Sequence, residues 1–373
     1  MSATRIATFD DWIALFDQWL IDIGYNKEMI KDFALEVKMA DLPTDEIQFG
    51  GYRGRPKWES VLQIPDQRIR DALLHLIVYQ SDTEFASVEQ QRNLIDTAPS
   101  DYDLYTLLRV NAEEMRHGWQ MCYLMVQFFG ESGRVEAQKQ LERRAFNRTR
   151  LLGSFNEPVN HWLDFFTYTN FVDRDGKFQL KMLSTSSFAP LARSVRAMLK
   201  EEQFHLGTGN NGLRRIVKQG KIPLPVIQRS LNKWIPTAYD LFGVDHSTSA
   251  EWAYLWGLKG RYDEEECTGE PDKGSLNDRA RRQYQDEVEE IIDGLNKALP
   301  DGAMKLSAPD LKFHRAIGEH VGDRFSVTGE PLSAADYERH LSQVLPTPED
   351  EALLAGIFRE HDWIEPKKVG AAV

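Results

Sequence analysis

Residues 80–125 read QSDTEFASVEQQRNLIDTAPSDYDLYTLLRVNAEEMRHGWQMCYLM. The second half of this stretch carries Glu114-Met115-Arg116-His117, a glutamate and a histidine three positions apart. In an α-helix the side chains at i and i+3 leave the same face, so one carboxylate and one imidazole can reach a single metal ion. The spacing recurs in Glu202-Gln203-Phe204-His205. Each motif has an acid upstream of it: Glu84 lies 30 residues before Glu114, and Asp173 lies 29 before Glu202. At about 1.5 Å per residue, roughly 15 residues up and 15 down return the chain to the height it left. The pattern therefore predicts a carboxylate helix followed by an ExxH helix, twice over, joined by a crossover at 131–157.

Working outward, four long helical stretches are expected at about 66–97 (before Pro99), 101–129 (before Gly130), 158–184 and from 188 to 206 or beyond. Asp101 is the expected N-cap of the second and Gly130 its C-cap. Upstream, Trp12, Leu15, Phe16, Trp19, Leu20 and Ile23 recur at steps of three and four, the spacing of one buried helical face. Residues 41–65 lose periodicity around Pro43, Gly50 and Gly51 and read as a connection. After 220 come shorter amphipathic pieces, a polar loop at 263–278, and two helices at 333–345, with Ser333 as cap, and 349–361. No run of period-2 alternation and no tandem repeat is present. The expected class is all-α: residues 1–65 as N-terminal helix and connection, 66–220 as a ferritin-like four-helix bundle, and 221–373 as a helical extension packed on it.

Composition narrows the function. The chain has 373 residues, 42% of them hydrophobic, with 58 acidic against 45 basic residues and a net charge of −13. Such a surface repels phosphate backbones, so generic nucleic-acid binding is not expected. The longest apolar runs, such as LLHLIVY at 73–79, fall far short of the roughly 20 residues that span a bilayer. The first residues lack the basic-then-apolar order of a signal peptide, and a cytoplasmic location is the expectation. Two cysteines, Cys122 and Cys267, are too few for a disulfide scaffold or a thiolate cluster.

Glu84, Glu114, His117, Asp173, Glu202 and His205 then form the candidate site. Four carboxylates and two imidazoles facing one another in a helical bundle are the ligand set of ferritin-like di-iron and di-manganese centres. Four buried carboxylates without compensation would carry a large desolvation cost, and two divalent ions cancel them. Oxygen donors with one imidazole per metal suit iron or manganese, and iron is expected. Spacing alone separates Asp173 from Asp175 poorly. Glu113 and Glu201, the first members of the two Glu-Glu pairs, point about 100° away and read as exposed or as lying behind the ligands.

Residues 80–125, together with FFTYTNFVDRDGKFQL at 165–180, FAPLARSVRAMLKEEQFH at 188–205, GLKGRYDEEE at 257–266 and KFHRAIG at 312–318, resemble the oxygenase component of benzoyl-CoA 2,3-epoxidase. That family is a cousin of the catalytic subunit of ring-1,2-phenylacetyl-CoA epoxidase, among the ferritin-like di-iron monooxygenases. The resemblance covers most of 66–320 and carries the family's ligands onto the same six residues, including Asp173 of Asp173-Arg174-Asp175. This chain is shorter than those enzymes before Glu84, between Gly212 and Leu231, and in its C-terminal part.

The resemblance implies two iron ions that use dioxygen to place one oxygen atom on an aromatic ring as an epoxide, releasing the other as water. It implies Glu114 as the bridge, Glu84 and His117 on one iron, and Asp173, Glu202 and His205 on the other. Two electrons must come from NAD(P)H through a separate reductase, because the chain carries no GxGxxG after a predicted strand, no P-loop and no iron–sulfur ligands. The expected substrate is an aryl-CoA thioester. Other aromatic acids, amines or carrier-bound substrates are the alternative, and a ferroxidase the more distant one. Trp119, Phe165, Phe166, Tyr168 and Phe171 offer an aromatic wall for the ring. Arg109, Arg214, Arg215, Lys259 and Arg261 are candidate partners for CoA phosphates.

Overall fold

The computed structural model describes residues 6–266 and 275–367. Among them the fold is all-α: no strand forms, and only isolated bridges such as Trp58 with Phe188 pin the connections. Helix α1 (Phe9–Asp22) is opened by Thr8, whose hydroxyl accepts from the Asp11 amide while the Asp11 carboxylate accepts from the Thr8 amide. This reciprocal cap satisfies amides that the first turn leaves free. The buried face of α1 (Trp12, Phe16, Trp19, Leu20) is the one the spacing predicts.

The four long helices follow: α2 (Gln67–Gln91), α3 (Asp101–Phe128), then, after α4 (Gly130–Glu142), α5 (Trp162–Leu183) and α6 (Ala189–Gln219). α2 packs on α3, α5 on α6, and α3 on α6, so the two carboxylate–ExxH units meet through their ExxH helices. The crossover is less irregular than the sequence suggests, because α4 fills its first half and packs on α1, α2 and α3. Two expected caps shift. Ser100, extended at φ −159°, is the N-cap of α3 and accepts from the Asp103 amide; Asp101 is already helical. Phe129 is the C-cap, and Gly130, at φ +55°, turns the chain directly into α4.

Missing side chains let the helices approach where the site lies. A Cβ on Gly118 would meet the Phe85 ring at 2.5 Å, so this glycine, next to His117, presses the residue after Glu84 onto α3. A Cβ on Gly209 would meet the Asn170 backbone at 2.4 Å, which brings α6 one turn beyond His205 against α5 one turn before Asp173. Fully burying a large apolar side chain such as Phe85 stabilises by about 1.5–3 kcal/mol.

The remaining helices are α7 (Leu224–Leu241), α8 (Thr248–Leu255), α9 (Leu276–Asn296), α10 (Ala334–Val344), capped by Ser333, and α11 (Pro348–Ile357). One apolar core joins α1, α2 and α3; another joins α5 and α6 to Trp234 and Tyr239 of α7, Tyr284 of α9 and Trp363 near the C-terminus. No helix among the described residues is long and apolar enough to cross a membrane.

Candidate metal centre

The fold brings all six expected residues together. Ligand atoms of Glu84, Glu114 and His117 lie within 4.8 Å of one another, and so do those of Glu114, Asp173 and His205. Glu114 belongs to both groups. Glu202 lies between the imidazoles, with Oε1 3.5 Å from His117 Nδ1 and Oε2 3.5 Å from His205 Nδ1. Asp175 belongs to neither group; it accepts from Gln179 Nε2 at 2.9 Å.

Each imidazole is held from behind by the other ExxH helix. His117 Nε2 meets Glu201 Oε2 at 2.9 Å, and His205 Nε2 meets Glu113 Oε2 at 3.1 Å. Glu201 is in turn engaged by Arg116 and by Lys38, the latter at 3.1 Å. Glu113 accepts from Arg109 at 2.9 Å. A carboxylate on one ring nitrogen sets the tautomer and leaves the other nitrogen as a donor toward a metal. The doubled Glu-Glu of each motif is the sequence signal: the second glutamate faces the centre and the first crosses to the opposite histidine.

The chemistry of these donors fits a metal. His117 Nδ1, His205 Nδ1 and Asp173 Oδ2 are buried with no hydrogen-bond partner. Burial, reinforced by the Glu84 charge, holds the Glu114 carboxyl well above the usual range. Asp173 is raised mainly by burial, the Glu202 and Glu84 charges adding to it against the pull of His205. For Glu84 burial is outweighed by His117 and hydrogen bonds, and its carboxyl is lowered. Burial opposes charge on His205, but Glu202, Glu113 and Glu114 hold its imidazole well above the ordinary value. Raised carboxyls and unpaired donors in one buried cluster fit a site whose charge a bound metal ion could offset.

Glu84, Glu114, Asp173 and Glu202 also line a cavity of about 660 Å³, with Tyr168, Val172, Leu183, Phe155, Phe242 and Leu276 among its other lining residues. Of the expected aromatic wall only Tyr168 is there. Trp119 instead packs edge-on against Phe9, Trp12 and Phe16 under α1. Phe165 and Phe166 pack with Trp162, and Phe171 lies in the same core. They sit on other faces of their helices.

A family model described as phenylacetic acid catabolic protein matches residues 59–326, a span holding every residue of the cluster. Benzoyl-CoA oxygenase component B of Aromatoleum evansii is 35% identical over 394 residues, covering 93% of this chain and 82% of that protein. The chain belongs to the phenylacetic acid catabolic protein family. A more distant relative, one subunit of the 1,2-phenylacetyl-CoA epoxidase of Escherichia coli (strain K12), is 23% identical over 253 residues, covering 67% of this chain and 74% of that protein.

Family membership does not make every basic residue a phosphate ligand. Arg215 is paired with buried Asp103 at 2.7 Å, Arg109 lies over the Phe204 ring, and Arg261 bonds Glu264. Arg214 is exposed. Lys259 lines the cavity, with Nζ 2.7 Å from Gln179 Oε1. Lys259 and Asp175 were each singled out in the sequence, but their link through Gln179 was not, because Lys259 reaches the cavity from the turn after α8.

Proposed function

We propose that this chain is the oxygenase component of an aryl-CoA epoxidising system, a di-iron monooxygenase acting on a thioester such as benzoyl-CoA. The observation that carries the reading is the buried cluster of four carboxylates and two imidazoles, sharing Glu114 between two ligand groups and opening on one cavity. Both relatives support it, one being named as a benzoyl-CoA oxygenase component and the other as part of a phenylacetyl-CoA epoxidase.

Glu84 and His117 would hold one iron and Asp173 and His205 the other, with Glu114 bridging and Glu202 within reach of both. When bound, the irons supply the two-electron chemistry that reduces dioxygen and delivers one of its atoms to an aromatic ring as an epoxide, the other leaving as water. Glu201 and Glu113 keep each imidazole's Nδ1 turned inward. Tyr168, Val172 and Leu183 shape an apolar slot for the ring and exclude water from it. Electrons come from NAD(P)H through a separate reductase, in keeping with a relative named as component B of its system. We place the chemistry in residues 66–220 and the cavity's cover in 221–373, and the system in the cytoplasm. The cavity favours an organic substrate over iron storage.

The test is product analysis under ¹⁸O-labelled dioxygen, with iron-loaded protein, a flavin or iron–sulfur reductase and NAD(P)H. Benzoyl-CoA should gain one labelled oxygen atom per turnover. Iron oxidation without any oxygenated aromatic product would overturn the reading in favour of a ferroxidase.

A further inference from the structure

We infer that Lys259 is a substrate-binding residue that donates a hydrogen bond to the acyl carbonyl oxygen, fixing the ring toward the carboxylate cluster. This rests on the aryl-thioester reading above and deepens it by assigning the group that recognises the thioester.

Lys259 follows α8 and sends its ammonium into the cavity, where Gln179 Oε1 accepts from it at 2.7 Å. The Gln179 amide is oriented by its other end, since Nε2 donates to Asp175 Oδ1 at 2.9 Å. An ammonium has three donors in total, and this is its one hydrogen bond among the described residues. The side chain is half-buried at the cavity wall, so an acceptor on a bound ligand can displace water there and take up a further donor.

Position favours the acyl end of the substrate. Gln179 lies six residues beyond Asp173 on α5, a rise of about 9 Å, of the order of one aryl acyl group. An oxygen on Lys259 thus leaves the ring to fill the apolar stretch toward Glu84, Glu114 and Glu202.

Charge favours a neutral acceptor. Lys259 is the one lysine or arginine among the described residues lining the cavity. Two divalent ions would balance the four clustered carboxylates, Asp175 acts on Lys259, and Asp240 is paired with Arg315 at 2.6 Å. The Lys259 ammonium thus already faces the charges of Asp175 and Asp245. A free aryl carboxylate would enter as an uncompensated buried anion, whereas a thioester carbonyl needs one donor and brings no charge.

The test compares benzoyl-CoA with its thioether analogue S-benzyl-CoA, which lacks only the carbonyl oxygen, by titration calorimetry on the full iron-loaded protein. Wild type should bind the thioester about tenfold or more tightly than the thioether. Lys259→Met should erase that difference while leaving iron content and thioether affinity unchanged. Equal wild-type affinities, or an undiminished gap in Lys259→Met, would overturn the assignment. If Lys259→Met does not fold, Lys259→Leu is compared with wild type in the same way. Carbonyl-dependent binding that the Lys259 variant loses, without labelled product, would sink the epoxidase reading and leave Lys259 in place; labelled product with equal affinities would do the reverse. Failure to bind either compound removes both.

Discussion

Behind the two imidazoles, Glu201 and Glu113 tie each ring at Nε2, and Arg116, Lys38 and Arg109 tie the glutamates. In front of them both Nδ1 atoms and Asp173 Oδ2 have no hydrogen-bond partner, and four carboxylates face a largely apolar cavity. The same helices build both faces. What differs is that the rear is fixed by paired charges while the front keeps donors exposed to one another, at a cost that only cations remove. We assign orientation to the rear and metal binding to the front.

The front should be the more sensitive. Glu114→Ala removes the one residue common to both ligand groups, so the protein should lose both irons and all turnover, as read by elemental analysis and product assay. Its metal-free form should be no less stable than wild type, because a buried carboxyl has gone. Full iron occupancy in this variant would break the front–rear distinction at its centre. Next in size, Asp173→Asn should cost the iron beside His205 and bring turnover to background. Asp175→Asn should retain both irons and weaken substrate binding through Gln179. The reverse ranking in iron content would transfer the ligand role to Asp175.

That the two aspartates can be ranked from structure but not from spacing shows where sequence reading ends. The six clustered residues were legible because i, i+3 pairs on long helices are positioned by the helix itself, and the 29- and 30-residue offsets follow from its rise. The cavity was not. Its wall is assembled from Phe155, Phe242, Lys259 and Leu276, residues brought together by packing of the later helices and carrying no periodic signal. The aromatic residues nearest the motifs misled for the same reason: Trp119 follows His117 by two positions, which turns it about 160° away and under α1. α4 escaped notice because GESGRVEAQKQLE is polar, and its helical state owes more to packing on α1–α3 than to a visible apolar stripe.

The rear face should respond by degrees. Glu201→Leu removes the acceptor on His117 Nε2 and strands Arg116, and should lower iron affinity or turnover by about 10–100-fold. Glu201→Gln should restore much of this, because an amide oxygen still accepts from the ring. Glu113 should follow the same order against His205. A Gln variant as impaired as Leu would mean that charge, rather than orientation, is what the rear supplies, and metal titrations on the variants distinguish the two.

The smallest effect is on stability in the metal-free protein, where protons replace cations. Glu114 and Asp173 titrate well above their ordinary values, with burial the largest cause for both, and burial lifts Asp175 to about 7. The folded state therefore holds protons that the unfolded chain has released above about pH 4, and stability falls as pH rises through that interval. His205, raised by Glu202 and its neighbours despite burial, adds the same sign: its contribution is present below its ordinary 6.5 and lost as pH climbs toward its folded value. Glu84 and Glu113 are lowered, so their contribution is complete above their ordinary 4.5 and adds no slope there. Chelated protein should thus melt several degrees higher near about pH 5.5 than near about pH 8, and iron should flatten the difference by taking the protons' place. Scanning calorimetry with and without iron measures both slopes. A melting temperature that rises with pH after chelation would mean that the four front carboxylates are already ionised without metal, and that the front is compensated by something other than the ions assigned to it.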